Sequence, residues 1–346
     1  MRVRRTASRW SDASGALSTE YVAVLVLVAA LMTALFALPR LVGDAAEQAA
    51  DCLFTADSCE ITPGDGSVGE PSGETSPDTT PAPRPDGAPP LDRTVTHGSD
   101  GPTREEGDIA TGDVDVDIAY DAMQVWGDYL WVTYGRDSID GEGAPLLADV
   151  QTQDPDTANA RWDRDEQMTY YRDGWLSPSV LHHEFAHGLV QWQTGGLRSG
   201  RTGDAVQTWA LNEALADIHA MNVTREGMLG HDLPDRDDPV RSSEDPGSTS
   251  NPDHVDQYHE AAGGHANSTI ISHAYWLMTQ DIGWEASEQI VFLAVEEHVD
   301  QDVRFEDFRR AMLQAAEELY GADSDERRGV EEAFGEVGLD GSWTGP

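Results

Sequence analysis

Between Val22 and Leu38 the chain reads VAVLVLVAALMTALFAL, with Thr33 its one polar residue. Together with Tyr21 and the Leu41–Val42 pair, this run is long enough to cross a bilayer as one helix. The pattern then inverts. Residues 60–112 are rich in Gly, Pro, Ser, Thr and Asp and nearly free of aromatics. Such a stretch cannot bury a core and predicts a disordered, charge-extended linker. Periodicity returns at Asp113. AYDAMQVWGDYLWVTYG has apolar positions at helical spacing and predicts a long helix, whereas APLLADVQT and DEQMTYYRDG predict short strands bounded by turns. After Ser179 the pattern is mostly helical, over 179–193, 205–223, 268–281, 286–299 and 304–320. The Gly-, Asp- and Pro-rich interval 224–260 predicts a long loop that is functional or ion-stabilised. The organisation expected is a basic leader (1–15), a membrane helix (16–43), an acidic linker (44–112) and one α+β domain (113–346) of about 230 residues, enough for a substantial core.

Charge narrows the functions open to this chain. The formal net charge is −42, and all 22 basic residues are arginine. A surface this acidic repels nucleic acid. Arg2, Arg4, Arg5 and Arg9 precede the apolar run and predict a cytoplasmic N-terminus with the domain outside. A signal peptide is the rival reading, but its apolar core is shorter, and here Pro39–Arg40 follows in place of a small-residue cleavage site. Cys52 and Cys59 are the only cysteines, which excludes a cysteine-rich zinc framework. Outside the membrane they are expected to form a local disulfide.

The segment GALSTEY, Gly15 to Tyr21, resembles the processing site of Flp/Tad-type pilins. That resemblance implies cleavage after Gly15 by a prepilin peptidase, with pilus-type subunits as partners. A carboxylate at the head of an apolar helix is costly, and Glu20 would find its partner in a neighbouring subunit's terminal amine.

The chemistry concentrates in LHHEFAHGLVQW, Leu181 to Trp192. At 3.6 residues per turn, His183 and His187 lie about 40° apart on one helix face, so both can reach one ion. His182 is rotated about 100° from His183 and is a poor ligand. Glu184 borders the histidine face, placed to hold a water. This is the H-E-x-x-H arrangement, two zinc ligands with a glutamate as general base. A catalytic zinc takes three protein ligands. The next helical segment, ALNEALADIHA, offers Glu213 as the third. Asp217 and Asn212 are placed to hold the outer nitrogens of the histidines.

Further motifs follow in order: RSSEDP (Arg241 to Pro246), PDH (Pro252 to His254) and GGHANSTIISHAYWL (Gly263 to Leu277). With HEFAH, NEALAD, the upstream NARW and EQMTYYRDG, and the tail from Phe308 to Leu339, the chain resembles thermolysin-type neutral metallopeptidases, a group of gluzincins. The match spans about 115–340. It implies a zincin fold with a β-containing upper lobe and a mainly helical lower lobe. It also implies a zinc-dependent endopeptidase with His183, His187 and Glu213 as ligands and Glu184 as base. His265 would stabilise the oxyanion and Arg241 the substrate carbonyl. Asn159 and the Ala160 backbone would align the peptide, and Glu260 would orient His265.

Three positions depart from that pattern. The family's oxyanion tyrosine falls on Arg198, which leaves Arg198 or Arg201 as possible substitutes. Two carboxylates of its paired calcium site fall on Ser179 and Thr224, so that site is not expected, although the acidic 232–260 loop has room for another. The β-rich upper lobe is reduced. Two functions compete: a membrane-tethered, extracytoplasmic zinc endopeptidase, and a pilus subunit displaying an inactive peptidase fold. The complete ligand set favours the first. A gluzincin aminopeptidase is a weaker third, lacking an evident amine-binding motif before the zinc helix.

Overall fold

The computed structural model describes residues 83–345, apart from 154–156. The expectations for the leader, the membrane helix, the pilin-like site, the Cys52–Cys59 disulfide and most of the linker lie outside the described residues. Among those described, no helix is long and apolar enough to cross a membrane.

Folded structure begins well before residue 113, which corrects the expected linker boundary. Strand β1 (Arg93–His97) is paired on both sides, antiparallel to β2 (Thr103–Glu105) and parallel to β3 (Leu146–Val150). Its sequence, RTVTH, has one apolar residue, Val95, which is fully buried. Arg93 is buried too, stacked 3.8 Å above the Tyr120 ring and paired with Glu106 at 2.6 Å. A charged residue fills a core position through its partners, so polarity disguised a central strand.

The sheet has the order β2-β1-β3-β5-β4, with β5 at Met168–Tyr171 and β4 at Ala160–Asp163. Strand β4 runs antiparallel to β5 and leaves its other side as an open edge. Helix α1 (Val114–Tyr134) packs on this sheet. The Asp113 side chain caps its first turn, accepting from the Val116 amide at 3.1 Å, and Gly135 ends it in the left-handed region at φ 64°. Trp126 is fully buried in its inner row. Trp126→Ala is expected to cost about 3–5 kcal/mol, a fall in melting temperature of roughly 6–20 °C. A melting curve within about 2 °C of wild type would remove Trp126 as a keystone of this layer.

Six more helices follow: α2 (Pro178–Thr194), α3 (Ala205–Thr224), α4 (Gly263–Ile282), α5 (Trp284–Leu293), α6 (Phe305–Tyr320) and α7 (Asp325–Glu336). Helix α4 starts at Gly263 and not at 268. The Asn267 amide donates to the carbonyls of Gly263 and His259, which folds the glycine pair into the first turn. The 224–260 loop carries a short antiparallel ribbon, β6 (Met228–Leu229) with β7 (Arg241–Ser242).

Two cores result. One joins the sheet, α1, part of α2 and, from α3, Ala216 and Ala220; the other joins α3 to α7. Helix α2 belongs to both, giving Leu181, Phe185 and Leu189 to the first and Val190 to the second. The seam between them is where α2 meets α3. This α+β arrangement, with a small mixed sheet above a helical lobe, is the fold class expected.

Candidate metal centre

Helix α2 is held at both ends. Ser177 caps it, Pro178 opens it and Gly195 closes it at φ 71°. With the helix fixed, His183 and His187 meet at 4.8 Å between ring centroids, nearly perpendicular. Glu213 of α3 comes up between them. Its Oε2 lies 3.6 Å from His183 Nε2 and 4.0 Å from His187 Nε2. That oxygen is buried and accepts no hydrogen bond among the described residues. A buried acceptor without a donor is costly, and here the Nε2 atoms of His183, His187 and His265 stand 3.3–4.0 Å from it. The three ligand atoms all lie within 4.8 Å of one another, a span that zinc bonds of roughly 2.0–2.2 Å close with small side-chain movement. Two nitrogens and one carboxylate oxygen, open toward a cleft, fit zinc.

Outer contacts orient these groups. Asp217 Oδ1 stands 2.9 Å from His183 Nδ1. Asp217 also takes a two-pronged contact from Arg241, Nε at 2.9 Å and Nη2 at 2.8 Å. The side-chain amide of Asn212 meets His187 Nδ1 at 3.1 Å. Burial would raise the Asp217 carboxyl, but Arg241 and His183 hold it down to about 2. Burial would lower His183, yet Asp217 and Glu213 hold it up to about 9. Burial pushes His187 down to about 4. It raises Glu184 to about 7, with the like charge of Glu213 adding to the effect. His182 points away, into the first core. It stacks on Trp126, with Nε2 3.2 Å from the Ala122 carbonyl.

His265, in the first turn of α4, is exposed on the cleft side with Nε2 3.3 Å from Glu213 Oε2. Asn159 and Ala160 line the cleft at the free edge of β4, and Arg241 lines it from β7. Glu260 is not with them. Residues 260–262 form a 3₁₀ turn capped by His259, and the exposed Glu260 carboxylate accepts from the Gly203 amide at 3.3 Å. No hydrogen bond or ion pair joins it to His265 among the described residues. Arg198 is turned to Asp302 at 2.6 Å, whereas Arg201 lies 5.4 Å from the Trp209 ring centre. In the calcium region, Ser179 is bonded to Asp232 and to the Gly230 amide. Among the described residues no second group of ligand atoms converges there.

Trp209, which none of the sequence motifs singles out, also reaches the metal centre. Its Nε1 donates to Glu213 Oε1 at 3.3 Å, leaving Oε2 for the ion. Its ring meets His265 edge-on at 5.4 Å, and a Cβ on Gly264 would overlap it. The signal was present in the i, i+4 spacing from Trp209 to Glu213. Trp209→Phe is expected to weaken zinc binding on the order of 10- to 100-fold, measured by competition with a chromogenic chelator. Unchanged affinity would cancel this role.

The arrangement has known counterparts. Residues 96–191 match the thermolysin metallopeptidase catalytic domain, and residues 205–339 match its alpha-helical domain. The folded region is a thermolysin-family metallopeptidase domain. Neutral protease B of Bacillus subtilis is 32% identical over 248 residues, covering 65% of this chain and 45% of its own length. Neutral protease NprE of Bacillus pumilus is 29% identical over 241 residues, with 76% of its length covered. Thus the chain spans less than half of some curated relatives. Among solved structures, the precursor of protealysin, a metalloproteinase from Serratia proteamaculans, aligns with a TM-score of 0.64 and 25% identity, covering 72% of this chain and 88% of that one. The thermolysin-type domain here keeps both histidines, Glu184, Glu213, Asn212, Asp217, Arg241 and His265 at one site.

Proposed function

We propose that this chain is a zinc-dependent endopeptidase. The observation that carries the reading is the convergence of His183, His187 and Glu213 on one point, with Glu184 on the same cleft wall. When bound, zinc would supply a Lewis acid that polarises a carbonyl and acidifies water. The chain's own residues supply the rest. The free edge of β4 offers Asn159 and Ala160 as main-chain partners for an extended peptide. Glu184, its carboxyl raised toward neutrality by burial, takes the proton of the attacking water and delivers it to the departing amine. Arg241, fixed by Asp217, and His265 face the charge that develops on the carbonyl oxygen. The cleft, about 960 Å³, accommodates several residues of peptide.

The test is zinc content and casein hydrolysis of the full chain, before and after chelation and with zinc restored. One zinc per chain and chelator-sensitive, zinc-restored cleavage are expected. No zinc and no cleavage would overturn the reading in favour of an inactive peptidase fold.

A finer reading places the domain outside a membrane, tethered by the apolar run from Val22 to Leu38. The arginines ahead of that run and the GALSTEY segment support it. Mass spectrometry of the membrane fraction decides: a chain beginning at Ala16 is expected, and an intact Met1 would refute prepilin-type processing.

A further inference from the structure

The cleft inverts the charge of the chain that forms it. Acidic residues outnumber basic ones 64 to 22 overall. Yet five arginines line the cleft, namely Arg161, Arg164, Arg198, Arg201 and Arg241, against two carboxylates, Glu184 and Glu213. Both carboxylates are committed to the metal centre.

Most arginines here are already answered. Of the seventeen described, thirteen lie within 4.0 Å of a described carboxylate. Arg172 and Arg236 are turned to the carbonyls of Thr157 and Asp238. Arg164 and Arg201 pair with no carboxylate among the described residues, and both line the cleft. In a protein so rich in carboxylates, two unpaired guanidinium groups in one groove need a reason.

They also share one half of it. Helix α2 forms the floor, from Val180 past His183 and His187 to Gln191. At the Val180 end the walls are Trp175, Leu229, Val240 and the paired Arg241. At the Gln191 end the Arg164 carbonyl accepts from the Gln191 side chain and its guanidinium reaches Gly196, while Arg201 lies by Trp209, on the side of α3 where Asn212 meets His187 and away from Asp217 and His183. Each cation is seated. Arg201 lies 5.4 Å from the centre of the Trp209 ring, the ring that also meets His265 edge-on. The Arg164 guanidinium passes over Gly196, where φ is 90° and a Cβ would collide with it, so glycine there both makes the turn and clears the space.

We propose that Arg164 and Arg201 form a subsite for a carboxylate side chain of the substrate, so that the enzyme selects peptides with Asp or Glu on one side of the cleaved bond. A guanidinium presents a planar fork that matches a carboxylate, and the pair gains strength in a partly water-excluded groove. This inference rests on the endopeptidase reading and names a substrate class for it.

The test uses full-length, zinc-loaded protein and a panel of quenched fluorescent peptides. They are identical except for Glu or Gln at each of three positions on either side of the scissile bond. The readout is the Glu-to-Gln ratio of kcat/KM within each protein. A ratio of about tenfold or more is expected, confined to one side of the bond and carried by KM. It should fall toward one in Arg164→Gln/Arg201→Gln and shrink with added salt. A wild-type ratio near one, a preference on both sides alike, or a ratio that survives the double substitution would each overturn the subsite. If no peptide is cut, the endopeptidase reading fails separately. Binding of the Glu and Gln peptides to Glu184→Gln protein, followed by tryptophan fluorescence, then decides the subsite. About tenfold tighter binding of the Glu peptide, abolished by the double substitution, supports it; equal binding rejects it.

Discussion

Glu184→Gln is expected to retain stoichiometric zinc while losing roughly 10²- to 10⁴-fold in kcat, the range general-base catalysis contributes. The separation of the two readouts follows from geometry. Glu184 is not among the three converging ligands, which are His183, His187 and Glu213. Its side chain is buried on the cleft wall at 7% exposure, so glutamine fits the same space. What changes is chemistry: an amide cannot accept a proton from water. Zinc content by atomic absorption and initial rates on one peptide read the two effects independently. Cleavage within a few-fold of wild type would mean that another group serves as base, and loss of zinc would place Glu184 among the ligands.

Asp217→Ala is expected to damage both stability and metal binding. Asp217 is 4% exposed and stands between Arg241 and His183. Removing it leaves the Arg241 guanidinium buried without its partner, a defect of about 3–5 kcal/mol. For a domain this size that corresponds to a melting temperature lower by roughly 6–20 °C. It also frees the outer nitrogen of His183, which should weaken zinc binding on the order of 10- to 100-fold. Asp217→Asn keeps the shape and an acceptor, so its effects should be smaller in both assays. Equal, near-wild-type behaviour of both variants would show that Arg241 and His183 are held by other means.

How far the sequence reached depended on whether a residue's role followed from local spacing. The pairs His183/His187 and Glu213/Asp217 are one helical turn apart, and a helix turns such spacing directly into a shared face. The structure keeps each pair on its shared face. Helices with apolar rows were equally legible. Strand β1 was not, because its burial of Arg93 depends on Tyr120 and Glu106, distant in sequence. Arg241 reaches the site through a two-residue ribbon that periodicity cannot detect. The setting of Glu260 was out of reach for a related reason. Counting back from His265 ignores the 3₁₀ turn at 260–262, which swings that carboxylate toward Gly203.

The shared helix α2 carries a consequence for the life of the molecule. Its histidines come from the floor, Glu213 and His265 from the helical core, and the peptide-aligning edge from the sheet. No fragment that has consolidated only one core brings all of these groups together. The metal centre and the β4 edge therefore come into register only once both cores have formed.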